Sequence, residues 1–259
     1  MNPADVLVVL PTLGDRPATL RLTLESVDRQ RATVPLTLVV VAPTSATDAR
    51  RVALEFGAVV VDDPRTGISE AINRGLAARS TETCYAWIGD DDLFRDGGLA
   101  MLRAMLESRP DAVVAYGGCD YIDGDGRTIA TSNAGALALA LLPWGPDLIP
   151  HPGSMIRLDA LEAIGGFDRD LRYAMDLDAF LKLRDHGRFV STRTSVSAFR
   201  WHAESLTVAN RRASGDEAER IKRRHTTPVL RPLSPLWLVP VRWASAFAAK
   251  RVSARARSL

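Results

Sequence analysis

Three consecutive aspartates, Asp90-Asp91-Asp92, follow directly on the apolar run Tyr85-Ala86-Trp87-Ile88-Gly89. An apolar run of that length reads as a buried strand, so three carboxylates stand together at its C-terminal end. Adjacent carboxylates repel, and the cluster is costly unless a cation or hydrogen-bond donors compensate it. Oxygen-only clusters suit a hard divalent ion, Mg²⁺ or Mn²⁺, and such an ion suits a phosphorylated ligand. A second carboxylate of interest is Asp176, at the expected start of a helix running to His186 and closed by Gly187. The helix dipole favours its ionised form there, as a general base requires, although a helix cap needs the same residue type.

The elements that must position these groups are legible as an alternation. Strands are expected at Val6–Leu10, Leu36–Val41, Ala58–Val61, Tyr85–Ile88 and Ala112–Tyr116. Helical patterns intervene at Pro17–Arg29, Thr47–Phe56, Ser69–Ala78 and Gly98–Ser108. Continuous apolar strands joined by helices indicate an α/β fold, a mostly parallel sheet flanked by helices on both faces. Such sheets bind ligands beyond the carboxyl ends of their strands. Those ends read Pro11-Thr12, Ala42-Pro43-Thr44, Asp62-Asp63, Asp90-Asp91-Asp92 and Gly117-Gly118, so two acidic ends are expected near one another. Asp62-Asp63 is explained equally well as turn residues. After residue 118 the alternation stops. Asp123-Gly124-Asp125-Gly126 lacks the ligand spacing and closing Glu of a calcium loop, and reads as a hairpin turn. Asp159 with Glu162, and Ser214 with Glu217, read as helix-start capping boxes.

The 259 residues suffice for one large domain, and 46% hydrophobic with 25% charged residues gives a sizeable core and a soluble surface. Cys84 and Cys119 form no zinc or disulfide pattern and read as small buried residues of a reducing, cytoplasmic protein. No signal peptide is expected. The net charge of +2 hides an asymmetry: residues 211–259 carry twelve Lys/Arg against three Asp/Glu, leaving an acidic body. That balance argues against nucleic acid as a partner of the body. No P-loop and no G-x-G-x-x-G follows the first strand.

The ordered motifs resemble the family 2 nucleotide-sugar glycosyltransferases, inverting enzymes with the GT-A fold. They are Leu10-Pro11-Thr12, Asp15-Arg16-Pro17, Leu24-Glu25-Ser26-Val27, Gly67-Ile68-Ser69 leading to Asn73 and Gly75, Ile88-Gly89-Asp90-Asp91-Asp92 (a DXD-type motif), Ile164-Gly165-Gly166-Phe167-Asp168, Met175-Asp176-Leu177-Asp178, and Arg200-Trp201-His202. The resemblance spans about residues 5–205 and implies one nucleotide-sugar-binding domain over residues 1–210. Within it, 1–118 would be the nucleotide half and 119–210 the acceptor and catalytic half, with 211–259 a basic, amphipathic C-terminal extension. It assigns Pro11, Thr12, Asp15, Arg16, Asn73 and Asp90 to the nucleotide sugar, and Asp91, Asp92 and His202 to a divalent metal. Asp176 would be the catalytic base, and His151 would line the acceptor cleft. By residue type alone, Trp144 could stack on an acceptor sugar or pack on the domain, Asp178 on the acceptor side reads as a supporting or structural group, and His202 could equally be a packing residue. The family's acidic residue after the second strand is replaced here by Ala42-Pro43-Thr44, and the acid preceding its base by Met175.

The implied function is metal-dependent transfer of a sugar from a nucleotide-diphosphate donor to a carbohydrate or lipid-linked acceptor, in cell-surface polysaccharide or glycolipid synthesis. A nucleotidyltransferase and a non-catalytic nucleotide-sugar binder of the same fold remain as alternatives. Trp237, Trp243 and Phe247, with Lys250, Arg251, Arg255 and Arg257 beyond, fit either an interfacial helix on the anionic inner face of the plasma membrane or a helix packed on the protein itself.

Overall fold

The apolar runs sort their side chains by alternation. Val6, Val8 and Leu10 of β1 (Val6–Pro11) join one core, whereas Leu7 and Val9 join the other. The same two-sided burial recurs along β2 (Leu36–Ala42) and β4 (Cys84–Trp87), as expected for strands covered on both faces. In this computed structural model, which describes residues 5–133, 135–201 and 210–257, β3 (Val59–Asp62), β2, β1 and β4 are parallel neighbours in that order. The helices α1 (Pro17–Gln30), α2 (Thr47–Glu55) and α3 (Ile68–Ala77) connect them.

Beyond β4 the sheet becomes mixed. β8 (Ser154–Arg157) lies antiparallel between β4 and β6 (Ala112–Ile122), and β9 (Arg188–Arg200) runs parallel to β6. The short β5 (Leu93–Phe94) closes that end on β9, and β7 (Thr128–Ser132) forms a hairpin with β6 across the Asp123–Gly126 turn. The sheet is therefore parallel over its first four strands and mixed thereafter.

α1, α2 and α4 (Gly98–Glu107) cover one face. The other is covered by α3, α5 (Ala136–Leu141), α6 (Leu158–Ala163), α7 (Met175–Leu183) and α8 (Arg211–His225). The last helix is α9 (Pro235–Arg257). α8 belongs to the body: Ile221 is buried in the core, and Lys222 Nζ donates to the Gly145 carbonyl. The boundary expected at residue 210 thus precedes an element of the folded core.

Gly75 shows how tightly α3 meets the sheet. A Cβ there would collide with Val9 Cγ1 and stand 3.2 Å from Val41 Cγ2. Ala is the better helix former by about 1 kcal/mol, but overpacking a core costs about 1–3 kcal/mol. Gly75→Ala is therefore expected to lower the denaturant midpoint at unchanged m-value; a midpoint at or above that of the unsubstituted protein would contradict this packing.

Candidate active site

The aspartates follow β4 and curl back over Gly89, where a Cβ would stand 3.0 Å from Asp92 Oδ2 and 3.3 Å from Asp91 Oδ1. A side chain at position 89 would therefore press on both carboxylates. Each acid is met by a donor, from the segment between β1 and α1 or from the end of β9. Thr12, just past β1, donates its hydroxyl to Asp90 Oδ2 at 2.6 Å. Arg16 reaches from the turn before α1 to Asp91 Oδ2 at 2.6 Å and stands 3.5 Å from Asp90 Oδ1. Arg200, at the end of β9, donates its main-chain N–H to Asp92 Oδ1 at 2.9 Å and its Nε to the Asp91 carbonyl at 3.0 Å. Its Nη1 also reaches the Asp123 and Gly124 carbonyls, at 2.8 and 2.7 Å. Thr23 Oγ1 donates to the Asp92 carbonyl.

Burial dominates the electrostatics. It pushes Asp90 up to about 6, with the neighbouring Asp91 charge adding and the Thr12 hydrogen bond opposing. Asp92, 1% exposed, is pushed well above the usual carboxylate range by burial and by Asp91. Its tie to the Arg200 main chain makes it the inner support of the loop. Asp15 is exposed beside this cluster, and its charge reaches Asp90. Pro11 is buried at the end of β1. His202 lies outside the described residues. Among the described residues no set of three or more His, Cys, Asp or Glu side chains forms a metal cage.

Asp176 is the second residue of α7 and is half-buried. Its Oδ1 accepts the Leu177 N–H at 2.8 Å. Burial raises it to about 6 against this hydrogen bonding, and the charge of Glu217 adds to the rise. Its own charge reaches Tyr85 on β4 and Asp147 in the loop after α5. Burial and Asp176 push Asp147 up to about 7, against the Ile149 N–H and Lys222. Asp147 and Glu217 have no place among the sequence-read site residues. Asp147 carried no local signal; Glu217 did, as half of a capping box. The structure instead starts α8 at Arg211, and Glu217 accepts the main-chain N–H groups of Arg172, Tyr173 and Ala174.

Four expected site residues are engaged elsewhere. Asn73 exchanges two hydrogen bonds with the Phe167 main chain, at 2.7 and 3.0 Å, so its amide anchors the turn before α7 rather than facing the aspartates. His151 is buried, stacked on Trp87 at 4.5 Å and 3.3 Å from Tyr85 Oη; burial drives it down to about 3, so it is a neutral packing group. Asp178 is 1% exposed and paired with Lys182 at 2.7 Å and His225 at 3.0 Å, which engages it with its own helix and with α8. Trp144 packs edge-on against Trp237 at 5.3 Å, part of the seat of α9. Asp62 pairs with Arg50 at 2.8 Å. β3 lies three strands from β4, about 14 Å at ordinary strand spacing, so the two acidic ends are not adjacent. A cavity of about 680 Å³ between α3 and α6 holds neither the aspartate trio nor Asp176.

A profile of Glycosyl transferase family 2 matches residues 7–165. No curated protein matches the chain. Among solved structures, S. aureus TarS 1-349 in complex with UDP-GlcNAc is similar at a TM-score of 0.66 and 14% identity, over 92% of this chain and 71% of that one. Mannosyltransferase PcManGT from Pyrobaculum calidifontis, in complex with GDP-Man and Mn²⁺, is similar at a TM-score of 0.70 and 19% identity, over 98% and 74%. At these identities the likeness shows a shared GT-A fold. Because the profile covers more than half of its length, the chain belongs to glycosyl transferase family 2 and is a glycosyltransferase.

Proposed function

We propose that the chain carries out inverting transfer of a sugar from a nucleotide-diphosphate sugar to an acceptor hydroxyl in a single displacement. The observation that carries this reading is the pairing of two acidic centres around β4. The aspartate trio continues that strand, and Asp176, raised to about 6, is close enough to act on Tyr85 of the same strand. The two centres differ in their partners: Thr12, Arg16 and Arg200 meet the trio, whereas Asp176 accepts the Leu177 N–H and has the acidic Glu217 and Asp147 as neighbours, and such a difference suits two different tasks.

In this reading Pro11, Thr12, Asp15, Arg16 and Asp90 face the nucleotide. The donor set suits a hard divalent ion, since Mg²⁺ is ordinarily held by one or two carboxylates together with its ligand's phosphates. Asp91, with Asp92 behind it, would hold Mg²⁺ or Mn²⁺, as the complex of the mannosyltransferase with Mn²⁺ also favours. Bound there, such an ion neutralises charge developing on the leaving diphosphate. Asp176 accepts the acceptor's hydroxyl proton. A base poised near pH 6 is mostly ionised at neutral pH yet basic enough to take a proton. The donors in complex with the two similar proteins make UDP- and GDP-sugars the first panel to test.

A role in cell-surface polysaccharide or glycolipid synthesis draws support from α9. Leu236, Val239, Trp243 and Phe247 are exposed and spaced three, four and four residues apart, which is one helix face. Lys250, Arg251, Arg255 and Arg257 follow in the sequence. No helix among the described residues is long and apolar enough to cross a membrane. Such a stripe with basic residues fits the surface of an anionic bilayer, where a lipid-linked acceptor would lie.

Asp176→Asn is expected to lower turnover by about 10²–10⁴-fold while leaving donor binding intact. The rate should fall as pH drops through about 6, where the base becomes protonated; full activity in Asp176→Asn removes the assignment. Asp91→Ala is expected to abolish Mn²⁺-dependent uptake of UDP and GDP in calorimetry, and unchanged uptake would exclude Asp91 as ligand. The full chain should sediment with phosphatidylserine vesicles and Trp243→Glu should not. Equal sedimentation of the two would rule out attachment through this face.

A further inference from the structure

The segment between α6 and α7 carries no regular structure, yet it delivers Asp176. Besides the side-chain pairs Arg224–Asp168 and Arg169–Glu70, side chains of α3 and α8 hold its main chain at three places. Asn73 holds Phe167, and Ser69 Oγ donates to the Leu171 carbonyl at 2.7 Å, both from α3. The third tie is Glu217 from α8. Its Oε1 accepts Tyr173 N–H at 2.7 Å, Ala174 N–H at 2.9 Å and Arg172 N–H at 3.1 Å; Oε2 stands 3.2 Å from the same Arg172 nitrogen. Ala174 is the residue immediately before α7, and Asp176 is two further on.

The geometry points to Glu217 as a positioning residue that fixes the main chain entering α7 and thereby aims Asp176 at the acceptor hydroxyl, an inference that rests on Asp176 being the base. A buried carboxylate that gathers three successive N–H groups sets both direction and distance for the residues that follow. Charge-assisted bonds of this kind are stronger than neutral ones. The helix cannot satisfy these N–H groups itself, because they precede its first turn. Glu217 sits on an element anchored separately: His225 and Arg224 pair with Asp178 of α7, and Lys222 with Gly145. α8 is therefore braced against both ends of the catalytic helix's first turns.

Glu217 also acts on Asp176 through space. The groups whose charges bear on this region are Glu217 from α8 with Arg220 3.6 Å from its Oε2, Asp147 from the loop after α5, Lys222 opposite Asp147, and the Tyr85 hydroxyl from β4. Of these, Glu217 raises Asp176, so neutralising it should move the midpoint of Asp176 to lower pH.

The test uses the full chain and hydrolysis of whichever UDP- or GDP-sugar gives the largest thermal shift with Mn²⁺. Glu217→Gln keeps an acceptor oxygen but removes the charge. Its kcat is expected to fall about ten- to a hundredfold, the scale of a misplaced reacting group. KM for the donor should stay unchanged, and the acid limb of kcat/KM should move to lower pH. A residue that only stabilised the fold would leave that limb in place. If Glu217→Gln fails to fold, Glu217→Asp is read instead: it keeps the charge with a shorter reach, so kcat should fall with the acid limb in place, and an unchanged kcat overturns the proposal. Asp176→Asn separates the two levels of the argument. Loss of hydrolysis in Asp176→Asn with unchanged kcat and acid limb in Glu217→Gln overturns the positioning role and leaves the base standing. Hydrolysis retained in Asp176→Asn overturns both.

Discussion

The crowding of three carboxylates at the end of one strand is the constraint around which this molecule is built. Left in a dry interior without partners, ionised acids cost several kcal/mol each. The fold answers by bringing Thr12 and Arg16, from the segment between β1 and α1, and Arg200, from the end of β9, to the same point. Arg16 shares one positive charge between two acids, and Arg200 ties the loop to the Asp123–Gly126 hairpin. Breaking a buried pair by removing one partner ordinarily costs about 3–5 kcal/mol. The compensation is partial, however. Burial first, and the neighbouring Asp91 charge after it, leave Asp90 and Asp92 with a raised affinity for protons.

Asp176 meets the opposite circumstances. It shares its surroundings with Asp147 and Glu217, both acidic, and with the buried Tyr85. Lys222 supplies a positive charge that acts on Asp147, and Arg220 stands 3.6 Å from Glu217 Oε2. The first acidic centre is organised by donors and cations, the second by burial and like charge. In the second, a proton is held more firmly than on a solvated aspartate but is still lost near neutrality. The β4 strand joins them, with Asp90–Asp92 as its continuation and Tyr85 and Trp87 on the face toward α7.

How much of this was legible in the sequence follows from the distance over which each feature is encoded. β1 to β4 are short apolar runs between helical patterns, and their order and their ends were readable. So was the trio, because Asp90-Asp91-Asp92 is contiguous. β9 was not, since Arg188–Arg200 mixes Ser, Thr and Arg with few apolar residues and is held as a strand by β6. β5, two residues long, has no periodicity to detect. Asn73 and Glu217 show a subtler limit. Their residue types were noticed, but whether an amide meets a nucleotide or a neighbouring main chain is decided by contacts 94 and about 45 residues away. A Ser-x-x-Glu pattern reads as a local cap whether its Glu turns inward to its own helix or outward to another.

The irregular segment before α7 explains why such distant ties matter. In-line displacement demands that base, acceptor oxygen and anomeric carbon keep a fixed geometry, and an error of about 1 Å is enough to cost two orders of magnitude in rate. The segment around Gly165-Gly166-Phe167-Asp168 has local turn hydrogen bonds, from the Gly165 and Gly166 N–H groups to the end of α6 and from Leu171 N–H to the Asp168 carbonyl, and these do not reach α7. Here the rigidity is borrowed from two helices. Asn73 and Ser69 on α3 hold one side, and Glu217 on α8 holds the other. α3 is itself locked to β1 and β2 by the close approach at Gly75. The position of Asp176 is thus referred back, through α3, to the same sheet whose end carries the aspartates. Two acidic centres far apart in sequence are in this way held to one frame, which independent loops would not provide.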